Sequence, residues 1–283
     1  MNTLMNINLN EIFQYTNSFT LDGMKANISK FLMITMLMTG FSMTKKMEAF
    51  LHQNRVLIER SLGQKNLNIR NWYRFANITV SLAHSIVSSI VALVCIYKCP
   101  SLLWSFVDEH YLPAFLILSF SGGYFIADSV INIRRRKQFK RSWKDCSEIL
   151  VHHALVSIDI LLSIHYLKYA GGLLTALLSE VNNIFLHLRS LALLVNIEIK
   201  SSNRWIWLTH MVVLSNILFR LIPTLAIAYR FTFDLKNLHP NMTNFDYFFA
   251  ISSLTMLIVY QNVMMVRIIN HDFKARPDDE KMN

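Results

Sequence analysis

Charged residues in this chain are segregated. They gather in short connections, and between the connections stand apolar blocks about 20 residues long, the length at which an α-helix crosses the hydrocarbon core of a bilayer. Several blocks are apolar all round, with no polar stripe wide enough to face water, which excludes a soluble helical bundle. Composition agrees: of 283 residues, 53% are hydrophobic and 16% charged, and mean hydropathy is +0.33. The formal net charge of +10 would suggest nucleic acid on a soluble protein. Here the basic residues sit beside apolar blocks, where they set membrane orientation, so no nucleic-acid partner is expected.

Seven candidate spans are read at 28–44, 75–97, 112–133, 147–167, 171–195, 205–230 and 246–269. The first is short and Met-rich; without it there are six. The expected fold is therefore an all-α integral membrane helical bundle of seven transmembrane helices, or six. Pro223 alone among the five prolines lies well inside a span and predicts a kink. The connections 45–74 and 134–146 carry seven basic residues each, the connection 98–111 only one. Alternation of this kind places the N-terminus outside and the C-terminus in the cytosol. The sequon Asn241-Met242-Thr243 falls in a predicted outside loop. The run RRRKQFKRSWK (134–144) also suits anionic lipid heads, at about 1 kcal/mol per charge. The three cysteines make neither a disulfide framework nor a metal pattern. No cleavable leader is expected, because residues 1–26 are polar and Asn-rich.

Ionisable residues inside the spans are costly there and are the candidate functional residues. In the fourth span Glu148, His152 and Asp159 are four and seven residues apart, so they share one helical face with Val156 and Ser163. His153 points about 100° away. In the fifth span Gly172, Ala176, Glu180, Asn183 and His187 form a small-and-polar stripe. The second carries Asn77, Ser81, His84 and Ser88, read as interhelical glue. Asp128 stands in the third span and Arg220 in the sixth, close enough in depth to Glu180 for an ion pair. His152 lies about 8 Å in from the cytosolic end, with His187 near the same level. These placements predict a polar cavity open to the cytosolic side. His152, His153 and Glu180 are the candidate catalytic residues, with histidine as general base or acyl-accepting nucleophile. Asp128, Asp159, Asn183, His187 and Arg220 are candidate lipid-binding residues. No metal is expected, since a single His pair does not make a di-iron site, and no Gly-x-Ser-x-Gly elbow occurs.

The stretches SLAHSIVSSIVALVC (81–95), SGGYFIADSV (121–130), SWKDCSEILVHHAL (142–155), GGLLTALLSEVNNIFLHLR (171–189) and FRLIP (219–223) resemble the TLC-domain superfamily, which includes ceramide synthases and TRAM proteins, and most of all its branch of TLC domain-containing proteins 1 and 2. The resemblance implies a TLC domain over 70–270. Before it come an extramembrane segment (1–27) and a first helix with its basic connection (28–69), and a cytosolic tail (271–283) follows. In ceramide synthases the His pair is followed by a His-Asp pair and a further Asp. This sequence has Ser179 and Glu180, then Asn183, at the later positions, which argues against N-acyl transfer to a sphingoid base. The branch it resembles implies control of membrane phospholipid acyl composition and fluidity at the plasma membrane, with the endoplasmic reticulum as the other location. The expected partners are therefore membrane phospholipids, with no cofactor. The alternatives are an acyltransferase, with acyl-CoA as substrate, and a transporter.

Overall fold

The computed structural model describes residues 9–63, 67–139, 142–195, 202–234 and 244–273. All regular structure in them is helical: α1 (Leu9–Gln53), α2 (Arg55–Ser61), α3 (Ile69–Lys98), α4 (Leu112–Phe139), α5 (Trp143–Tyr166), α6 (Ala170–Leu177), α7 (Ser179–Val195), α8 (Asn203–Asn216), α9 (Ile222–Tyr229) and α10 (Asn244–Phe273). The sequon at 241–243 and the chain beyond Phe273 lie outside the described residues.

The packing of α3 is inverted relative to a soluble protein. Its buried face carries Ser81, His84, Ser85, Ser88, Ser89 and Ala92, while Ile86, Val87, Ile90, Leu93 and Val94 are exposed. In hydrocarbon, apolar side chains gain nothing by turning inward, whereas small and polar ones gain close contact and hydrogen bonds. The helix begins where the Asn68 side chain accepts the Asn71 N–H at 2.9 Å and stops before Pro100, which opens a short 3-10 turn (Pro100–Leu103). Among the described residues, four helical stretches are long and apolar enough to cross a membrane: Ile69–Lys98, Leu112–Phe139, Cys146–Tyr166 and Asn203–Tyr229. Against the seven expected spans, this criterion selects four. The 28–44 block lies within α1, and α1, the α6–α7 pair and α10 pack alongside the four.

The most buried of these helices, α4, is the hub. It meets α1, α3 and α5, and its meeting with α1 is backbone on backbone. A Cβ added at Gly40 would stand 2.1 Å from the Phe120 carbonyl oxygen, and one at Gly123 would stand 2.0 Å from the Leu37 oxygen. The two glycines thus let antiparallel helices touch with no side chain between them, and this holds α1 in place despite its modest hydropathy. On its other side Gly122 leaves room for Ile160 of α5, 3.1 Å from where its Cβ would be.

The fifth expected span, 171–195, is not continuous. It breaks at Leu178 into α6 and α7, with three-residue hydrogen bonds from Leu178 N–H to Thr175 and from Val181 N–H to Leu178. The kink expected at Pro223 takes the form of a π turn, Ile217–Leu221, directly before it. Proline lacks the N–H and crowds the preceding turn, and a widened turn absorbs both effects.

Beyond the spans, a charged and aromatic layer joins α1, α3 and α4 at the basic end. Arg135 Nε reaches Glu48 Oε1 at 3.1 Å, and its guanidinium lies 4.6 Å from the Tyr73 ring. His52 Nδ1 accepts the Trp72 indole N–H at 2.8 Å, which needs an unprotonated nitrogen. Burial, then the Arg135 and Arg55 charges, hold the His52 imidazole below its ordinary 6.5. Burial raises the Glu48 carboxyl above 4.5, against the pull of Arg135.

Two outcomes are expected. Gly40→Ala or Gly123→Ala should destabilise the detergent-solubilised protein by about 1–3 kcal/mol in thermal unfolding. Gly23→Ala is the control and should not, since nothing lies within 4 Å of a Cβ there. Because the unfolded chain binds the His52 proton more readily, stability should be lost as pH falls below 6.5. His52→Gln should reduce that loss in melting curves across the window. Glu48 acts in the opposite sense from 4.5 upward, so the difference between wild type and variant is the quantity to read.

Candidate functional site

A cavity of about 490 Å³ lies between α5, α6, the start of α7, α9 and α10. Its walls are largely apolar. Leu155, Val156 and Ile160 line it from α5, Leu173 and Leu177 from α6, and Ile227 from α9. Leu118 and Phe125 of α4 and Ala250, Leu254, Met256, Val259 and Val263 of α10 complete the walls. Met256, Val259 and Val263 are also 43–54% exposed, and α10 packs mainly on α5 and α9, so this side of the cavity is one helix thick. The α5 lining runs from Ser147 to Leu162, about 23 Å of helix. Phe106 and Tyr169 stand at the far end. There the α5–α6 turn is held in the left-handed region, with Tyr169 at φ 69°, its N–H donating to the Val107 carbonyl at 2.8 Å.

Polar groups enter this apolar space at a few places. Glu148, His152 and Asp159 line it together, as their four- and seven-residue spacing implies. Ser163, expected on the same face, instead donates to the Lys168 carbonyl within the turn. Ser253 of α10 joins Asp159 in the lining, and Ser147 joins Glu148. Arg267 of α10 closes on Glu148 at the basic end, with N···O distances of 2.7 and 2.9 Å.

The break at Leu178 positions Glu180. It falls in the first turn of α7, where the helix dipole favours a negative charge. The residue is among those lining the cavity and is 5% exposed. It accepts the Ser85 hydroxyl at 2.6 Å and lies 3.8 Å from His84 Nδ1. The His84 ring stacks on Tyr124, 3.7 Å between centroids and 9° from parallel, and Tyr124 Oη donates to Ser81 Oγ at 2.8 Å. Sequence reasoning assigned this α3 stripe to glue. The contacts are interhelical: Ser81 meets α4, and Ser85, outside that stripe, meets Glu180 of α7 with His84 alongside.

The expected cavity is corrected in two respects. It is mainly apolar, and the two histidines do not share it. His152 lines the cavity, whereas His153 turns to α4, with Nδ1 3.4 Å from Asp128 Oδ2 and its ring against Phe125. Asp128 also accepts the Asn132 amide at 2.7 Å. Asn183, His187 and Arg220 lie behind the cavity. Arg220 Nη2 donates to Asn183 Oδ1 at 2.6 Å, joining the π turn to α7, while Glu180 turns to α3. His187 is likewise absent from the cavity lining. Asn182, which sequence reasoning passed over, ties α7 to α8 through the Val212 carbonyl and Ser215 Oγ, each at 2.9 Å. No group of three His, Cys, Asp or Glu side chains is placed to hold a metal among the described residues.

Fold and cavity together define an integral membrane helical bundle with an elongated, mostly apolar site. The chain belongs to the TLC-domain family, whose model matches residues 74–270. It is a membrane-associated family linked to lipid metabolism. Human TLC domain-containing protein 1 is 34% identical over 208 residues, covering 72% of this chain and 77% of the relative. Zebrafish TLC domain-containing protein 2 is 28% identical over 212 residues, covering 75% and 82%. Chicken TLC domain-containing protein 1 is 35% identical over 125 residues, covering 44% and 48%.

The divergence of the histidines separates their effects. His153→Leu leaves the buried Asp128 without its imidazole and should lower stability by about 1–3 kcal/mol. His152→Leu should leave the melting temperature close to wild type and change the set of lipids that co-purify. Equal loss of stability in both variants, with unchanged lipid, would show that both histidines are structural.

Proposed function

We propose that this protein regulates the acyl composition of membrane phospholipids, and so membrane fluidity, by holding one acyl chain in the cavity. The observation that carries this reading is the shape and chemistry of the site. It is elongated and mainly apolar, with Ser147, Glu148 and His152 towards its basic end and Asp159 and Glu180 further in. A fatty-acyl chain in one leaflet spans about 15 Å, half of a ~30 Å hydrocarbon core, and the α5 lining is longer than that. The volume lies within the ~300–1,000 Å³ usual for small-molecule sites. The positive-inside rule assigns the basic end to the cytosol, so the chain enters from the cytosolic leaflet. The plasma membrane is the proposed location, and phospholipids are the proposed partners.

One observation favours a second reading, an acyltransferase. His152 and Glu180 both face the cavity, so a bound acyl group would lie beside a potential general base and a carboxylate. Acyl-CoA would be the donor in that case, and the protein would show turnover with it.

The two readings share a test. Ala176→Trp places a large side chain in the cavity from α6. The purified variant should keep its helical signature and elution profile but lose most of the phospholipid that co-purifies with wild type. In cells it should no longer shift phospholipid acyl saturation. A folded variant that still carries wild-type lipid and shifts the profile would show that the cavity is not the site. Acyl-CoA hydrolysis or transfer by wild type, lost in His152→Leu, would select the second reading.

A further inference from the structure

The ion pair at the basic end of the cavity joins its two facing walls. Arg267 of α10 meets both oxygens of Glu148 of α5, at 2.7 and 2.9 Å. The side chains are 60% and 33% exposed, and Glu148 also lines the cavity. Exposed pairs of this kind contribute little to stability. Their effect here comes from position: a ligand whose tail fills the cavity must place its head where these two groups meet.

A guanidinium and a carboxylate side by side discriminate among head groups by charge. An anionic head could pair with Arg267 but would leave Glu148 facing a like charge, and a cationic head would do the reverse to Arg267. A head with both a phosphate and an ammonium exchanges partners and leaves nothing uncompensated. The phosphate accepts the paired guanidinium N–H groups, a geometry that suits arginine, and the ammonium meets the carboxylate. Ser147 and His152 line the same end and offer neutral hydrogen-bonding groups. We infer that Glu148 and Arg267 form a head-group site that selects zwitterionic phospholipids over anionic ones. Arg134, Arg136 and Lys137 at the end of α4 gather anionic lipid around this end of the bundle. The carboxylate in the mouth is the group that keeps such lipid out.

The inference rests on the reading of the cavity as an acyl-chain site, and its test keeps the two apart. The full chain in detergent is offered three tail-matched probes, with phosphocholine, phosphoglycerol and simple alcohol heads, and bound lipid is counted by native mass spectrometry. Wild type should retain the phosphocholine lipid over the phosphoglycerol lipid by on the order of tenfold. Glu148→Gln should bring that ratio close to one by admitting the phosphoglycerol lipid. Arg267→Gln should weaken both phospholipids. Neither variant should alter retention of the alcohol, whose head needs no counter-charge. An unchanged ratio in Glu148→Gln, with the alcohol still bound, would overturn the head-group inference and leave the acyl-chain reading standing. If Ala176→Trp binds the alcohol as well as wild type does, the acyl-chain reading fails and the inference falls with it.

Discussion

A polar group in hydrocarbon has no water to turn to, and the arrangement of this bundle follows from that constraint. The serines and histidine of α3 face inward, where Ser81 meets Tyr124, Ser85 meets Glu180 and Ser88 bonds back to its own helix, and the isoleucines and valines face outward because lipid accepts them. Once inward faces are small and polar, helices can approach closely. The Gly40 and Gly123 contacts are the extreme case, with backbone on backbone. They fix the rotation of α4, and α4 in turn sets which face of α5 meets Asp128 and which is left to the cavity.

Two adjacent histidines thereby acquire different environments. A step of about 100° around a helix separates a residue packed on a neighbour from one lining a space. His153 completes an interface with Asp128 and Asn132, while His152 stands among aliphatic side chains with Glu148 and Asp159. Glu180 bridges the two environments. It is presented to the cavity by the start of a helix and anchored from behind by Ser85, with His84 alongside. A carboxylate held from one side in this way keeps a defined position whether or not the cavity is occupied.

What was legible in the sequence is what depends on local periodicity. The all-helical architecture, and the shared face of Glu148, His152 and Asp159, follow from spacing along the chain, and spacing does not change on folding. The break at Leu178 was not legible. Neither glycine nor proline marks it, and the polar run Ser179-Glu180-Val181-Asn182-Asn183 that follows it reads equally well as the polar face of a continuous helix. The partners of Glu180 and Arg220 were equally hidden. Depth arguments placed the two residues at one level but could not supply the rotation of α7, which presents Glu180 to α3 and Asn183 to Arg220. That rotation is a property of the packed bundle. The partners of His84 were hidden for the same reason: a histidine among serines looks alike from sequence whichever neighbouring helix it meets.

The thinness of the α10 wall bears on how the site meets its ligand. A cavity one helix away from lipid is supplied from within the membrane plane, so the relevant concentration is a mole fraction and not a molarity. Membrane lipids are the solvent there, and even a minor species is crowded against the opening. Such a site has no need of high affinity to be filled. Its occupancy reports the proportion of one lipid to another, and it will change when the composition of the leaflet changes even if the total amount of lipid does not.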